Sequence, residues 1–586
     1  MSRSLYGRCA CLACPLILAA LCALAATPHN TLTALLRQHW QHELSTYPEM
    51  ATAIGDNRFN DRLSDQSPGA IERELEYSRK LLSALEQIDS SRLSTADRLN
   101  QSLLIRSLKT NIAGARFKNW EMPATQMWGP HLEYAGLAKN MPFRTARDYR
   151  NYLSRLRALP AVFDQSIANM RQGMRDGLVP PRYLSEKVAE EASEVASKPV
   201  AESLFTEPVK NFPATIPAST RGLLTKEINS AVGDQVLPAY AAFAKFVREV
   251  YEPKGRTEFG IWSLPDGPAR YRQAIEEMTT TTSSPDNLHA LGLKQVAEIE
   301  QQMLAIAKRQ GYKDLKSFNA HIFADKRLHG TSGEQILGLY QGYTDQMYAK
   351  LPQYFGRLPK NKLIVVPMEA YRAPHEVPAD YSIGAGDGSR PGRINVNEYD
   401  PAKRLLLNVE AIAYHEGIPG HHLQFSIAQE LTKVPPFRKF AEYNAFSEGW
   451  ALYAETLAHE MGFYQDPYSE YGRLQNLMWR SIRLVVDTGV HSKHWSRPQM
   501  IDFFHQHSAM DDQNIATEVD RYIAWPAQAL GYKLGEMTIL KLRERARQEL
   551  GSKFDIRAFH NAVLEQGPLP IDVLESNVNQ WIASRK

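Results

Sequence analysis

A short segment between residues 414 and 422 gathers residue types that bind a metal ion and activate water. It reads Tyr-His-Glu-Gly-Ile-Pro-Gly-His-His, with histidines at positions 415, 421 and 422 and a glutamate at position 416. In an ordinary H-E-x-x-H helix, the two histidines bind zinc one turn apart and the glutamate is the general base. The composition of the segment therefore predicts a hydrolytic zinc site, with His415 as a ligand and Glu416 as the base.

The spacing of these histidines departs from the ordinary motif. The residue four positions after His415 is Pro419, and on a regular helix His421 would lie ~9 Å further along the axis. That separation is too large for one zinc ion. Pro419 removes a backbone hydrogen bond and Gly420 allows unusual dihedral angles, so the pair can open a bulge that returns a later histidine towards the first. We expect His421 to be the second ligand, with His422 as its substitute.

A third protein ligand is expected from another helix. Glu448 lies in Phe446–Glu455, an apolar segment with a helical pattern. A carboxylate there is costly to bury unless it is paired or binds a metal, so Glu448 is the expected ligand and a structural salt bridge is the alternative. Glu455 falls on the same stripe. It either orients a ligand histidine or is an ordinary solvated residue.

The elements that must position these residues are mainly helical. Four segments show apolar residues at three- and four-residue spacing, namely Ile71–Ile88, Arg98–Ile112, Asp148–Arg175 and Leu288–Arg309. Breaks are predicted at Ser197–Pro217 and at Thr279–Asp286, where the second ends in a helix N-cap signal. The chain from Pro401 onwards returns to a helical pattern.

Strand character is limited to one region. Lys362–Met368 is rich in β-branched residues, and Arg393–Asn397 alternates apolar and polar residues. We expect a small antiparallel β-ribbon over 362–397, with the Gly-rich run Ile383–Gly392 as its connection. The predicted organisation is a signal peptide (1–26), an N-terminal helical lobe (27–285) and a catalytic helical lobe (286–586) that carries the ribbon and the zinc site.

The N-terminus predicts export. Arg3 and Arg8 precede the apolar stretch Cys9–Leu24, and small residues follow, as in a secretory signal peptide. A retained membrane anchor would need a longer apolar core. Acylation at Cys22, as in a lipoprotein, is disfavoured because Leu21 stands where a small residue is expected. We therefore predict a secreted or periplasmic protein.

Cysteine usage constrains the metal site. All four cysteines, at positions 9, 11, 14 and 22, precede the expected cleavage after Ala25 or Ala26. The mature chain would then contain no disulfide and no thiolate ligand, so histidines and carboxylates must hold any metal.

Charge and hydropathy exclude two classes of partner. The 586 residues include 68 Lys and Arg against 65 Asp and Glu, without the basic excess that is typical of nucleic-acid binders. After the first thirty residues no uncharged apolar run approaches the ~20 residues needed to cross a bilayer. Neither nucleic-acid binding nor stable membrane insertion of the mature chain is expected.

The motifs resemble the bacterial domain of unknown function 885 family. Its H-E-x-x-P-G-H signature is matched by His415–His421, and its E-G-W-A-L-Y-x-E by Glu448–Glu455. The resemblance continues at Asp387–Gly392, Arg483–His491, Arg521–Tyr522 and Gln528–Lys533. The family is distantly similar to the helical zinc peptidases that include oligopeptidases and angiotensin-converting enzyme. This resemblance implies two helical lobes around a deep central cleft and one Zn²⁺ per chain.

The resemblance also implies roles in peptide hydrolysis. Zinc bound by His415, His421 and Glu448 would polarise the scissile carbonyl, while Glu416 takes the proton of water. The tetrahedral oxyanion needs a further donor. Tyr522 is the first choice, because Arg521–Tyr522 resembles the Arg-Tyr pair of angiotensin-converting enzyme, and His491 is the second. A packed aromatic side chain without a catalytic role is the alternative for Tyr522.

Several residues are candidates for contact with an oligopeptide substrate. The strand Arg393–Asn397, with Asn395 at its centre, could pair with an extended peptide backbone. Arg390, Arg483 or Arg521 could bind a substrate carboxylate, although each is also a candidate for a structural role. Asp487 is expected, like Glu455, to support the ligand side chains.

Three functions are compatible with these features. The leading hypothesis is a secreted zinc peptidase that acts on short peptides. A non-catalytic peptide- or metal-binding protein on the same fold is the second, although such a protein has no need of a base beside its ligand. A serine hydrolase or esterase is the third, and the absence of a G-x-S-x-G motif counts against it.

Overall fold

Helices form most of the chain in the computed structural model, which describes residues 27–369, 373 and 376–586. The mainly α fold predicted from the sequence is confirmed. The predicted signal peptide, 1–26, lies outside the described residues. The helices up to residue 354 are α1 (Pro28–Thr46), α2 (Pro48–Ala53), α3 (Pro68–Glu86), α4 (Thr95–Gly114), α5 (Pro130–Glu133), α6 (Ala146–Asp176), α7 (Arg182–Ser197), α8 (Ala218–Ala231), α9 (Leu237–Phe246), α10 (Gly267–Thr279), α11 (Pro285–Arg309), α12 (Leu315–Ala324) and α13 (Gly333–Tyr354).

A second group of helices follows the small sheet and carries the predicted site. They are α14 (Val409–Glu416), α15 (His421–Gln429), α16 (Pro436–Lys439), α17 (Asn444–Glu460), α18 (Pro467–Ser492), α19 (Arg497–His507), α20 (Asp512–Ala524), α21 (Gly531–Leu550), α22 (Ile556–Leu564) and α23 (Ile571–Ala583). The four segments with helical spacing lie in α3, α4, α6 and α11. The break at Thr279–Asp286 is also present, because α11 begins after Ser284, whose hydroxyl caps the backbone N–H of Asn287.

The sheet differs from the predicted ribbon. It has three strands, β1 (Leu363–Pro367), β2 (Ala379–Ser382) and β3 (Gly392–Val396), in the order β1–β3–β2. Both predicted strands form and pair with each other, but β1 and β3 are parallel, and β2 is antiparallel to β3. The prediction of an antiparallel ribbon was wrong, because the connection is long enough to cross over and to contribute a strand of its own. The Gly-rich run joins β2 to β3.

The helices that carry the predicted site share a buried core. Side chains of α14, α15, α17 and α21 pack with those of α22 and α23 in one apolar cluster, with Trp450 fully buried within it. Another cluster combines Tyr271 and Ile275 with Leu484 and Leu530, so α10 packs against helices far along the chain. No helix in the described ranges is long and apolar enough to cross a membrane.

Helices α17 and α21 cross in direct backbone contact. A Cβ atom added to Gly535 would lie 1.8 Å from the carbonyl oxygen of Ala445, and one added to Gly449 would lie 2.4 Å from Cα of Gly535. Any larger residue at either position would clash with the facing backbone. This close approach sets the distance between Glu448 on α17 and Tyr532 on α21.

Candidate metal and catalytic site

The helix that carries the first histidine is interrupted before the second. Helix α14 ends at Glu416 and α15 begins at His421, and the Gly420 N–H donates to the carbonyl oxygen of Tyr414 at 3.0 Å. A Cβ atom on Gly420 would lie 2.0 Å from the carbonyl oxygen of His415, so only glycine allows this approach. The chain folds back on itself, as the Pro-Gly pair predicted, and the two histidine rings lie 4.9 Å apart at 89°.

Three side chains converge at this interruption. Atoms of His415, His421 and Glu448 that can bind a metal all lie within 4.8 Å of one another, the one such group in the described part of the chain. Oε2 of Glu448 is 3.5 Å from Nε2 of His415 and 3.3 Å from Nε2 of His421. A tetrahedral ion with bonds of 2.0–2.1 Å separates its ligand atoms by about 3.3 Å. The two spacings therefore fit zinc.

The chemistry of the three donors also fits a cation. Among the described residues, the buried Oε2 of Glu448 has no hydrogen-bond partner, which is costly without a ligand. Burial opposes ionisation of Glu448, but its contacts with the two imidazoles outweigh this effect and hold its pKa well below the usual value. The set of two histidines and an ionised glutamate is one that zinc accepts.

A carboxylate supports the first histidine from behind. Nδ1 of His415 is 2.8 Å from Oε1 of Glu455, which is buried. Asn476 donates to the other oxygen of Glu455 at 3.4 Å, and the Arg480 guanidinium lies 3.8 Å from Oε1. This contact fixes the tautomer that leaves Nε2 of His415 free to face Glu448.

Glu416, the expected base, is partly buried at the end of α14. Burial raises the pKa of Glu416 to about 8, with His421 acting in the opposite direction and Glu448 and Asp380 adding to the rise. A carboxyl group with this pKa is mostly protonated at pH 7, so a role as base requires the lowering of the pKa that a nearby cation would bring.

His422, the proposed substitute ligand, faces another direction. Its Nδ1 is 3.1 Å from the hydroxyl of Tyr381, and its Nε2 is 3.1 Å from the carbonyl oxygen of Asn361. Burial lowers the pKa of His422 to about 4. Of the two adjacent histidines, the structure brings His421 to the group and leaves His422 to hold α15 against the sheet.

Tyr522, the first choice of oxyanion donor, is enclosed in a buried network. Its hydroxyl accepts from Arg483 at 2.9 Å and from Trp479 at 3.0 Å, and it donates to Glu518 in a short hydrogen bond. All three hydrogen-bonding positions of the hydroxyl are thus filled. Tyr522 is therefore a packed aromatic side chain, which is the alternative that the sequence analysis gave for it.

Tyr532 is a residue that the sequence interpretation missed as a donor. Its ring lies 6.4 Å from that of His415 and nearly parallel to it. Its hydroxyl accepts from Arg521 at 2.9 Å and from Gln528 at 3.4 Å, and its proton has no acceptor in the described ranges. Because both of these partners are donors, the phenol proton must point away from them. The signal for Tyr532 was present, because it lies within the matched run Gln528–Lys533.

His491 and Asp487 do not contact the candidate metal group, which consists of His415, His421 and Glu448. The Nδ1 of His491 accepts from the Ile261 N–H at 3.0 Å, and its Nε2 is 2.9 Å from the carbonyl oxygen of Tyr522. Asp487 accepts from the Tyr271 hydroxyl at 2.6 Å and from a backbone N–H. The expected support of a ligand by Asp487 is therefore corrected: it joins α10 to α18.

The substrate-contact predictions for the sheet also need correction. Strand β3, which contains Asn395, is central, so both of its backbone edges are already paired and cannot add a peptide strand. The Asn395 amide donates to Asp380 at 2.5 Å and to Ser382 at 2.8 Å, both in β2. Arg390 donates to Asn140 and to the backbone of α2, and thus joins the sheet to the N-terminal region. Within the described part of the chain, no strand pairs with the outer edge of β2.

Comparison with known proteins gives a family and a fold. The model of a family described as "Bacterial protein of unknown function (DUF885)" matches residues 48–578. A solved structure of a candidate lipoprotein from Colwellia psychrerythraea has a TM-score of 0.91 at 27% identity, covering 95% of this chain and 100% of its own. A candidate lipoprotein of unknown function from Shewanella oneidensis gives 0.69 at 18% identity, covering 94% and 99%. No curated protein matches the chain.

Proposed function

The chain belongs to the DUF885 family of bacterial proteins of unknown function, and we propose that it is a zinc-dependent peptidase. The observation that carries this proposal is the spacing of Nε2 of His421 and Nε2 of His415 from Oε2 of Glu448, at 3.3 and 3.5 Å. These distances suit a tetrahedral ion, and Glu416 follows the first ligand directly. A ligand set with an adjacent base supports catalysis rather than metal storage.

The side chains have distinct tasks in this proposal. Zn²⁺, when bound, supplies a Lewis acid that polarises the scissile carbonyl and lowers the pKa of water. Glu416 accepts the proton of the attacking water and passes it to the leaving amine. The O–H of Tyr532 donates to the carbonyl oxygen as it becomes negative. Glu455 holds the imidazole of His415 in the orientation that binding requires.

Short peptides are the proposed substrates. No described strand covers the outer edge of β2, where an extended backbone could add, and β2 packs against α14, which ends in Glu416. A cavity of about 660 Å³ lies between the β3–α14 connection and helices α18–α20. It adjoins the site through Asn476, which contacts Glu455, but its wall contains none of the three candidate ligands. A volume of this order accommodates a ligand of a few residues rather than a folded protein.

Purified protein distinguishes this proposal from its alternatives. We expect one zinc per chain and cleavage of a peptide library that stops when a chelator removes the metal and returns on adding Zn²⁺. Glu416→Gln should retain zinc and lower kcat by about 10²–10⁴-fold. Zinc binding without any turnover would instead support a non-catalytic binding protein. Inhibition by a serine-directed reagent, with chelators inactive, would support the esterase hypothesis.

An envelope location is proposed together with the activity. The two similar structures are of candidate lipoproteins, and the sequence begins with a predicted export signal. We propose a secreted or periplasmic protein whose signal is cleaved after Ala25 or Ala26. Attachment through an acylated Cys22 is the alternative, and the descriptions of the two similar structures favour it.

A further inference from the structure

We propose that Arg483 and Arg521 bind the free C-terminal carboxylate of the peptide, so that the protein releases short fragments from C-termini. This inference rests on the proposed function and adds a substrate class to it. Its basis is a buried group of guanidinium side chains that is separated from the His415 ring by the ring of Tyr532.

The group is defined by Arg480, Arg483 and Arg521, which surround two aromatic rings. The guanidinium carbons of Arg480 and Arg483 lie 4.3 and 4.5 Å from the centre of the Trp479 ring. That of Arg483 also lies 4.2 Å from the centre of the Tyr532 ring. Arg480 and Arg483 are only 5% and 2% exposed. Stacking holds these side chains in place before a ligand arrives.

The carboxylates near this group do not match its positive charge. Glu518 lies 3.0 Å from Arg483 and 3.5 Å from Arg521, so one carboxylate serves two guanidinium groups. Among the carboxylates that the structure describes, Arg480 pairs with Glu455 alone, at 3.8 Å, and that carboxylate also contacts His415. Three cations therefore share two anions, which leaves room for one more negative charge.

The group also has unused hydrogen-bond donors. Nη1 of Arg483, Nε of Arg521 and Nε of Arg480 are buried and have no partner among the described residues. A buried donor without a partner costs free energy that a ligand can recover. A carboxylate, with two oxygens that accept from guanidinium groups, suits such donors.

Distance from the metal group limits the fragment that is released. Arg483 lies 4.2 Å from the Tyr532 ring, and that ring lies 6.4 Å from the His415 ring. The guanidinium is therefore within about 11 Å of the His415 ring, a span of about three extended residues. A peptide whose C-terminus binds Arg483 would place at the metal group a bond that is one to three residues from its end.

The group lies directly behind the wall of the cavity. Trp479 and Glu518, which both contact Arg483, are in the wall of the 660 Å³ cavity, whereas the three arginines are not. A peptide end that binds Arg483 must therefore enter beside α18 and α20 and pass between these two side chains.

A matched pair of substrates tests the inference. Two peptides of the same sequence, one with a free C-terminal acid and one with a C-terminal amide, are compared on the zinc-loaded protein. We expect kcat/KM to be about 10- to 100-fold lower for the amide, since a charged hydrogen-bonded contact is lost. The acid should yield C-terminal products of one to three residues. Equal cleavage of the two peptides would overturn the inference while leaving the peptidase proposal intact.

Binding gives a second readout that does not need turnover. Glu416→Gln is titrated with each peptide by calorimetry, and the acid should bind at least 10-fold more tightly than the amide. Equal affinities would overturn the inference. The titration tests recognition of the C-terminal carboxylate even if neither peptide is cleaved. Absence of cleavage would count against the peptidase proposal alone.

Substitutions locate the effect. Arg483→Gln, and separately Arg521→Gln, should reduce the acid-to-amide ratio of affinities and of kcat/KM towards one. Arg497→Gln is the control, because its guanidinium pairs with Asp520 instead. It should keep the wild-type ratio. A ratio is insensitive to the folded fraction of a destabilised variant, so unchanged ratios in both test variants would overturn the assignment.

Discussion

Glu455 and His415 form a buried pair 2.8 Å apart, on the side of the imidazole that faces away from Glu448. The pair joins α17 to α14 and leaves one nitrogen of the ring for a metal. Since Asn476 and Arg480 of α18 contact the same carboxylate, three helices determine the orientation of one ligand.

Substitution of Glu455 by Gln should weaken zinc binding. The amide can accept from the imidazole but lacks the charge that makes it a stronger ligand, so we expect an affinity about 10- to 100-fold lower. Competition with a chromophoric chelator measures this change. Glu460→Gln on the same helix, whose carboxylate pairs with Arg543, is the matched control and should bind zinc as the wild type does. Equal affinities for both variants would contradict the supporting role of Glu455.

The two tyrosines should differ in their effect on catalysis. Tyr532→Phe removes a free O–H beside His415, and we expect kcat to fall by about 10²-fold, the order seen when one oxyanion donor is lost. KM and zinc content should change little. Tyr522→Phe removes a hydroxyl that is already bound to Glu518. It should therefore lower the free energy of unfolding and leave kcat nearly unchanged. The opposite ranking in steady-state kinetics would return Tyr522 to the catalytic role.

Gly420→Ala should damage the zinc site through the backbone. The added Cβ would lie 2.0 Å from the carbonyl oxygen of His415, so the turn must open and His421 must move. We expect a loss of about 1–3 kcal/mol in the free energy of unfolding and substoichiometric zinc. Gly222→Ala in α8 is the control, because nothing lies within 4 Å of its added Cβ. It should be neutral or stabilising. Full zinc occupancy in Gly420→Ala would show that the turn is not essential.

Stability at low pH should depend on buried neutral histidines such as His560. Burial lowers the pKa of His560 to about 3, and its ring nitrogens contact the Tyr453 hydroxyl and the Tyr354 carbonyl oxygen. The unfolded chain binds this proton near pH 6.5, so the stabilising effect is complete above pH 6.5 and is lost as the pH falls towards 3. From pH 7.5 to 5.0 the loss is about 2 kcal/mol.

A comparison with His560→Gln isolates this contribution. Groups with the opposite trend, such as Asp487, whose pKa burial raises to about 7, act equally in both proteins and cancel. Urea unfolding at pH 7.5 and 5.0 should show the stability difference between wild type and variant shrinking by about 2 kcal/mol at the lower pH. A pH-independent difference would mean that His560 is protonated in the folded state.

The N-terminus of the exported protein tests the proposed location. Mass spectrometry of the full chain produced in a bacterial host should find cleavage after Ala25 or Ala26 and no lipid. Cys22→Ala should therefore leave processing and location unchanged. An acylated Cys22, with the protein in the membrane fraction until that residue is replaced, would favour the lipoprotein alternative.

Local patterns predicted the helices and the approach of His421 to His415. The helical spacing in α3, α4, α6 and α11 arises from amphipathic faces, which are visible in the sequence. The return of His421 to His415 followed from two residues, Pro419 and Gly420, whose backbone properties are intrinsic. These predictions needed only neighbours along the chain.

The predictions that failed depended on contacts distant in sequence. The direction of β1 relative to β3 is set by a crossover and by β2, whose short sequence carries little strand signal. Tyr522 and Tyr532 are ten positions apart and chemically alike, and only the packing of α20 and α21 shows which hydroxyl is already bound. The sequence named Arg483 as a candidate for a substrate carboxylate, but it could not show that the Tyr532 ring lies between this arginine and His415.

The contact of Gly449 with Gly535 makes the proposed reaction centre sensitive to residues that lie outside it. Glu448 precedes the first of these glycines by one position, and Tyr532 precedes the second by less than one helical turn. A methyl group at the crossing would push the two helices apart and carry the carboxylate of Glu448 and the phenol of Tyr532 with them in opposite directions. The spacing within the proposed site is thus set partly by the absence of two side chains.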